Sequence, residues 1–184
     1  MQLYEHQKTA LAYLRSLDSF MLFMEQGTGK TIPTLTRLNE LIKSKAIKTA
    51  LVICPKSVMG SWDRDIQMFD TESQIRLKTH VEIINYDKVW RYDRNKFNPY
   101  DRQYDSIVID EAHHSQAESY RKLFAHFVPQ LLIGLTATPE RMDGRDLRPD
   151  FGGRISAEIR LPQALQAGLL TPFQYLSLIH ISEP

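Results

Sequence analysis

The sequence has few of the features that mark secreted, membrane-bound or fibrous proteins. Cys54 is the single cysteine among 184 residues, so no intrachain disulfide can form, which fits a reducing compartment such as the cytosol. The apolar run Phe20 to Met24 is far too short to span a bilayer, and no apolar segment follows a basic start as in a signal peptide. We therefore expect a cytoplasmic protein with no membrane partner.

An excess of charge of one sign is also missing. Lys and Arg together number 23 and Asp and Glu number 22, which gives a formal net charge of +1. Bulk electrostatics therefore give no argument for nucleic acid, and any site for a polyanion has to be a local patch. Hydrophobic residues make up 42% and charged residues 24% of the chain, which excludes a disordered tail or a coiled coil and fits one globular domain.

The chain does contain a regular alternation of helical and strand patterns. The helical patterns cover residues 4–17, 31–45, 57–69, 119–128 and 161–167. Short apolar runs predict buried strands at 20–24, 49–54, 81–84, 106–109 and 131–135, and an exposed strand at 154–160. This alternation predicts βαβ units and an α/β fold with a mainly parallel sheet, in which ligands bind at the carboxyl ends of the strands.

A glycine-rich turn follows the first predicted strand and opens the next helix. It reads Gly27-Thr28-Gly29-Lys30-Thr31. Gly27 and Gly29 allow backbone N–H groups to approach phosphates closely, Lys30 supplies a fixed positive charge, and Thr31 supplies a hydroxyl ligand for Mg²⁺. The pattern predicts a phosphate-binding loop, and the alternative is a plain glycine turn with a solvated lysine.

Two adjacent carboxylates, Asp110 and Glu111, end the predicted strand 106–109. A magnesium nucleotide site needs one carboxylate for the metal and its water shell, which suits Asp110. It needs a second to orient and deprotonate the attacking water, which suits Glu111. Thr136 and Thr138 follow the next strand and can hydrogen-bond across to this pair. The alternative for the pair is a helix N-terminus whose acids suit the helix dipole.

In this order and spacing, the motifs resemble those of the first RecA-like domain of superfamily 2 helicases and translocases of the DEAH-box type. Gly29-Lys30-Thr31 resembles motif I, Asp110-Glu111-Ala112-His113 resembles motif II, and Thr136-Ala137-Thr138 resembles motif III. The resemblance covers residues 2–175 and implies a P-loop fold with three αβα layers. Met24 stands where the full P-loop has its first glycine, a departure that is common in this family.

Three further motifs carry the same resemblance. Tyr4-Glu5-His6-Gln7 resembles the adenine-reading Q motif, with Gln7 as the amide that pairs with the base. Residues 52–57 resemble motif Ia and residues 84–87 resemble motif Ib. Contacts to nucleic acid are expected to be made to phosphates, because a motor has to tolerate every sequence. The expected contact residues are Lys56, Ser57, Asn85 and Tyr86.

The resemblance implies an enzyme that uses ATP and Mg²⁺ to move on nucleic acid, on DNA rather than RNA. Lys30 would hold the β- and γ-phosphates, Thr31 and Asp110 the Mg²⁺, and Glu111 would activate water. The residues that would relay the nucleotide state to the nucleic acid are His113, Thr136 and Thr138. The charge-neutralising arginine comes from a second RecA-like domain in this family, so we expect this chain alone to bind ATP weakly and hydrolyse it hardly at all.

The two halves of the chain resemble different branches of that superfamily. Residues 1–90 look like the Swi/Snf translocases, and residues 105–175 look like bacterial helicases related to type III restriction subunits. The chain is either a natural intermediate or two genes joined in assembly, of bacterial or phage origin. Residues 176–184 match a translated library-preparation adapter, so we interpret them as a non-native tail and expect the gene to continue into the second RecA-like domain.

Other functions remain open at this stage. A different P-loop enzyme, such as a kinase, is argued against by the acidic pair followed by Thr-Ala-Thr. A nucleotide-binding interaction module without turnover is the main alternative. A metal site at His113-His114 lacks a third spaced ligand. Trp62 faces the core in the favoured interpretation and stacks on a base in the other.

Overall fold

The structure is a computed structural model, and part of the chain is described in it. The described residues are 2–72, 76–90, 99–112, 123–137, 148–151, 153, 155–159, 161–166 and 168. His113, His114, Thr138 and the tail 176–184 lie outside the described residues, and the helix predicted over 119–128 is described only from residue 123 onward.

The strands of the described chain form one parallel sheet. They are β1 (Ser19–Met24), β2 (Ala50–Cys54), β3 (Val81–Asn85), β4 (Ser106–Asp110), β5 (Leu131–Thr136) and β6 (Ile155–Ile159). Their order is β3-β2-β4-β5-β1-β6, and every neighbouring pair is parallel. Each strand matches its predicted range to within one residue at either end, and the predicted α/β fold with a parallel sheet is confirmed.

The α-helices described from end to end are α1 (Glu5–Ser16), α2 (Thr31–Lys43), α3 (Met59–Glu72), α4 (Tyr86–Trp90) and α5 (Leu161–Gln166), and residues 123–126 are also helical. The prediction that Ser57 begins α3 is wrong by two residues. A turn comes first, in which the backbone N–H of Val58 donates to the carbonyl of Pro55 at 3.0 Å. The short helix α4 was not predicted, because five residues are too few to show a helical period.

The sheet separates two hydrophobic cores. Because side chains alternate between the faces of a strand, successive residues of β1 enter different cores. Phe20 and Leu22 pack on one face together with the apolar sides of α1, α2 and α3. Met21 and Phe23 pack on the other face with Phe127 and neighbouring residues. The chain is therefore a three-layer αβα sandwich, and among the described residues no helix is both long and apolar enough to cross a bilayer.

An ion pair joins α1 to α2, where Arg15 Nε donates to Glu40 Oε2 at 3.1 Å. The hydrogen bond from Arg15 holds the pKa of the Glu40 carboxyl below its ordinary value. A carboxyl with a lowered folded-state pKa contributes stability above its unfolded pKa and loses it as the pH falls through the folded pKa.

Replacing Glu40 with glutamine is therefore expected to lower the free energy of unfolding by about 0.2–1 kcal/mol at pH 7, the range for exposed pairs. The difference in free energy of unfolding between the two proteins should shrink as the pH falls below the ordinary pKa of a glutamate. Urea unfolding at pH values from 7 down to 3 measures it. A difference of constant size over this range would contradict the ion-pair explanation.

Candidate nucleotide site

The phosphate loop connects β1 to α2 through two glycines in left-handed conformations. Gly27 has φ +82° and Gly29 has φ +73°, in a backbone region that residues other than glycine rarely adopt. Thr28 is buried between them, and its Oγ1 donates to the carbonyl of Glu25 at 2.6 Å. The loop ends at Lys30, which is the N-cap residue of α2. Its shape therefore leads into the N-terminus of a helix, where backbone N–H groups favour a phosphate.

Two side chains of α1 contact the phosphate loop directly. His6 Nε2 lies 2.9 Å from the carbonyl of Thr28, and Gln7 Nε2 donates to the carbonyl of Gly29 at 3.2 Å. Gln7 is 4% exposed, and a Cβ at Gly29 would lie 2.6 Å from its Nε2. In this structure the amide of Gln7 is hydrogen-bonded to the phosphate loop. A contact between Gln7 and adenine stays a prediction.

Lys30 meets both carboxylates of the acidic turn, the name used below for Asp110 and Glu111. Lys30 Nζ lies 2.6 Å from Glu111 Oε1 and 3.6 Å from Asp110 Oδ1. All three side chains are nearly buried. Burial raises the pKa of the Asp110 carboxyl above its ordinary value, while the charge of Lys30 and a hydrogen bond from Trp62 act in the opposite direction. Strand order explains the meeting, since β4 and β1 both flank β5.

Two contacts to the acidic turn were missed by the sequence interpretation. Trp62 is buried as predicted, with 1% of its surface exposed, but its Nε1 also donates to Asp110 Oδ2 at 2.8 Å. The hydroxyl of Tyr86 contacts the backbone carbonyls of Asp110 and of Glu111, the second at 3.2 Å. The signal for these contacts is the strand order β3-β2-β4, which brings the segments after β2 and β3 beside the end of β4.

A cavity of about 720 Å³ opens between the phosphate loop, the start of α3 and the acidic turn. Such a volume lies in the range of small-molecule and cofactor sites. Its lining residues are Gln26, Gly27, Gly29, Lys30, Thr31, Pro55, Ser57, Val58, Ser61, Trp62, Tyr86, Asp110 and Glu111. The phosphate loop and the acidic turn, separated by about 80 residues in the sequence, thus share one cavity.

The four predicted nucleic-acid contacts lie at neighbouring strand ends. Cys54 of β2 is paired with Asn85 of β3, so the residues that follow the two strands are adjacent. Lys56 and Ser57 are exposed, and Ser57 also lines the cavity. Asn85 Oδ1 accepts the backbone N–H of Lys88 at 3.2 Å, and Tyr86 contacts the acidic turn as described. Nucleic-acid contact by these residues stays a prediction.

Thr136 is buried at the end of β5, next to the strand that carries the acidic turn. Its neighbour Leu135 is paired with Asp110 in the sheet. The predicted coupling role of Thr136 is compatible with this position and stays a prediction, and His113 and Thr138 lie outside the described residues.

The oxygen ligands in the cavity fit Mg²⁺. Among the described residues there is no group of three or more His, Cys, Asp or Glu side chains that could hold a metal ion. Mg²⁺ does not require such a cage, because it is usually held by one or two carboxylates together with waters and substrate phosphates. Asp110 and Thr31 offer hard oxygen atoms and line the same cavity.

Comparison with known proteins gives a consistent family. A family model described as type III restriction enzyme, res subunit, matches residues 1–141. The endonuclease subunit of the type I restriction enzyme EcoAI from Escherichia coli is 26% identical over 187 aligned positions, covering 94% of this chain and 23% of the relative. A 51.5 kDa protein of a Lactococcus phage is 32% identical over 158 positions, covering 86% of this chain and 32% of the relative.

Among solved structures, the Sulfolobus solfataricus SWI2/SNF2 ATPase core in complex with dsDNA has the same fold. The TM-score is 0.67 at 23% identity, over 83% of this chain and 36% of the other. The chain spans about half or less of the length of the curated relatives it matches. The expected Swi/Snf and restriction-subunit relatives are both found.

Proposed function

Because the chain belongs to the type III restriction enzyme res subunit family and is the first RecA-like domain of a superfamily 2 helicase, we propose that it is an ATP-driven motor domain. In this proposal it binds ATP with Mg²⁺ and couples hydrolysis to movement on nucleic acid, DNA rather than RNA. The observation that carries the proposal is the position of Lys30, held between Asp110 and Glu111 in a cavity that the phosphate loop also lines.

Binding of ATP exchanges the partners of Lys30. In the structure its ammonium group is paired with Glu111 at 2.6 Å. A γ-phosphate that enters the cavity offers Lys30 a second anionic partner, and charge-assisted hydrogen bonds of this kind are strong. Gly27, Gly29 and the N-terminus of α2 hold the remaining phosphate oxygens through backbone N–H groups. The loop thus binds the phosphates, and Gln7 is proposed to pair with the adenine base.

Release of Lys30 to the phosphate leaves the Glu111 carboxylate available for the attacking water. Glu111 then orients the water and accepts its proton as the water attacks the γ-phosphorus, while the bond from the γ-phosphorus to the β,γ-bridging oxygen breaks and ADP leaves. Asp110 and Thr31 would hold the Mg²⁺, which would supply neutralising charge for the phosphate oxygens. Trp62 fixes one oxygen of Asp110, because its indole N–H donates at 2.8 Å. The two residues of the acidic turn thus have separate proposed roles, metal binding for Asp110 and proton transfer for Glu111.

The proposed nucleic-acid surface follows the ends of β2 and β3. Lys56, Ser57, Asn85 and Tyr86 are adjacent there, on a part of the sheet that touches the nucleotide cavity. The S. solfataricus protein of the same fold was solved with dsDNA, which favours a duplex over RNA as the partner. Contacts made to phosphates bind any sequence, as a motor requires. Thr136, His113 and Thr138 are proposed to connect this surface to the nucleotide.

A second RecA-like domain is the remaining proposed partner. It supplies the arginine that neutralises the transition state, a contribution on the order of 10³–10⁵ in rate. Without it the chain is a nucleotide-binding domain with little turnover. An interaction module that never hydrolyses ATP is therefore the alternative that an experiment has to exclude.

The test compares ATP hydrolysis by residues 1–175 with hydrolysis by the same residues joined to the rest of their gene product. We expect the short form to turn over slowly, with or without duplex DNA. The longer form should be faster by a factor on the order of 10³ or more and be stimulated by duplex DNA. Phosphate release with duplex DNA, single-stranded DNA and RNA measures both. No turnover by the longer form would favour the interaction module.

A further inference from the structure

Tyr86 places its hydroxyl on the backbone of the acidic turn. The hydroxyl contacts the carbonyls of Asp110 and Glu111, the latter at 3.2 Å. Since a hydroxyl has one proton, it donates to one of these carbonyls at a time or shares the proton between them. The ring is half-buried and lies at the start of α4, directly after the edge strand β3. This contact therefore joins a segment at the sheet edge to the centre of the site.

One of the two residues that accept this contact, Glu111, has an unusual backbone. Glu111 has φ +55°, and the other non-glycine residue with a positive φ in the described chain is Lys45, in a turn after α2. A residue that has a Cβ atom rarely adopts a positive φ unless the surrounding structure holds it in that conformation. The left-handed turn directs Glu111 back towards Lys30, 2.6 Å away. The conformation of one strained residue thus decides where the proposed base points.

We propose that Tyr86 is a positioning residue that holds Glu111 in its left-handed conformation and thereby sets the hydrolytic step, without contributing to nucleotide affinity. The inference rests on the proposed function only for the catalytic consequence. Its structural core, that the Tyr86 hydroxyl and the left-handed residue 111 depend on each other, holds whether or not the chain hydrolyses ATP. The adjacent strand ends of β2, β3 and β4 make the contact possible.

The first experiment is a double-mutant cycle that compares melting temperatures, so it does not depend on ATP hydrolysis. The Tyr86→Phe variant keeps the ring and removes the hydroxyl, and we expect it to lower the melting temperature by about 2–4 °C. Glu111→Gly keeps the backbone carbonyl that the hydroxyl contacts but removes the strain, so in this background the same change releases no strain and should lower the melting temperature by about 2–4 °C more than in the original protein. In the Glu111→Gln background, which keeps the Cβ but not the charge, residue 111 is strained as before, and the shift should match that of the original protein.

Each outcome of the cycle decides the inference. A shift that is larger in the Glu111→Gly background than in the original protein, and unchanged in the Glu111→Gln background, supports the inference. An equal shift in all three backgrounds overturns it, because Tyr86 would then act on the fold and not on the conformation of residue 111. Tyr13→Phe, at a tyrosine that is 46% exposed on α1 and lies outside the site, is the matched control and should shift no background.

The second experiment addresses catalysis in the hydrolysing form of the protein. Tyr86→Phe should lower kcat about 10- to 100-fold while KM for ATP and the Kd for a non-hydrolysable analogue change less than twofold. Weaker analogue binding with unchanged kcat overturns the positioning role. If the unsubstituted protein has no turnover, the proposed function fails, and the stability cycle still tests the contact between Tyr86 and Glu111.

Discussion

Replacing Lys30 with methionine is expected to weaken binding of Mg²⁺·ATP about 30- to 100-fold, because the charge that pairs with the phosphates is lost. Hydrolysis should fall by about 10²–10³-fold or more, as when a preorganised transition-state donor is removed. Methionine keeps most of the side-chain volume, so the change isolates the ammonium group. Isothermal titration with a non-hydrolysable ATP analogue and phosphate release measure the two effects.

The same substitution also affects folding, and this effect has to be measured separately. Lys30 balances two nearly buried carboxylates, at 2.6 Å and 3.6 Å. Breaking a buried ion pair by removing one partner costs about 3–5 kcal/mol, so the variant should unfold at lower urea concentration. Affinity is then compared only where circular dichroism shows both proteins folded.

A lysine at the other end of the same helix provides the matched control. Lys43 is exposed in the last turn of α2, and Lys43→Met should leave both affinity and stability almost unchanged. Binding of the analogue within twofold of the original protein after Lys30→Met would contradict the phosphate-loop assignment.

The strands were predictable from the sequence because each is a short apolar run that ends at a polar or turn residue. Residues of a parallel strand are buried on both faces, so they form continuous apolar runs, and β4 with all five residues buried is an example. The alternation at 154–160 predicted an exposed strand, and the structure has a strand there, β6, at the edge of the sheet beside β1. Helix α4 could not be predicted from the sequence, because it has only five residues and follows β3 directly.

The site was predictable where one motif contains its whole chemistry. The phosphate loop and the acidic turn each carry their functional residue types within a few positions, and the structure brings both to one cavity. Trp62 and Tyr86 could not be assigned in this way. Their contacts to the acidic turn join residues 48 and 24 positions apart, and only the strand order makes them neighbours.

The two halves of the chain supply one site, whichever gene history produced them. Lys30 and Trp62 from the first half contact Asp110 and Glu111 from the second. β2 lies between β3 and β4, so the sheet has no seam between the halves. The E. coli subunit that is similar over 94% of the chain also spans both.

Replacing Glu111 with glutamine is expected to separate binding from hydrolysis. Hydrolysis by the longer form of the protein should fall about 10²–10⁴-fold, because glutamine cannot accept the proton of the attacking water. Affinity for Mg²⁺·ATP should rise by about 10-fold, and the reason is a contact inside the site. Glu111 Oε1 lies 2.6 Å from Lys30 Nζ, so the carboxylate competes with the incoming phosphate for the ammonium group.

The direction of the affinity change distinguishes this explanation from simple damage to the site. A distorted pocket binds ATP less well, whereas loss of a competing anion near the phosphates makes binding stronger. Glu40→Gln is the matched control, because it makes the same chemical change outside the cavity and should alter neither kcat nor affinity. Weaker binding by Glu111→Gln would show that the carboxylate supports the phosphate site. In that case the exchange of Lys30 between Glu111 and the γ-phosphate would have to be abandoned as the first step of the cycle.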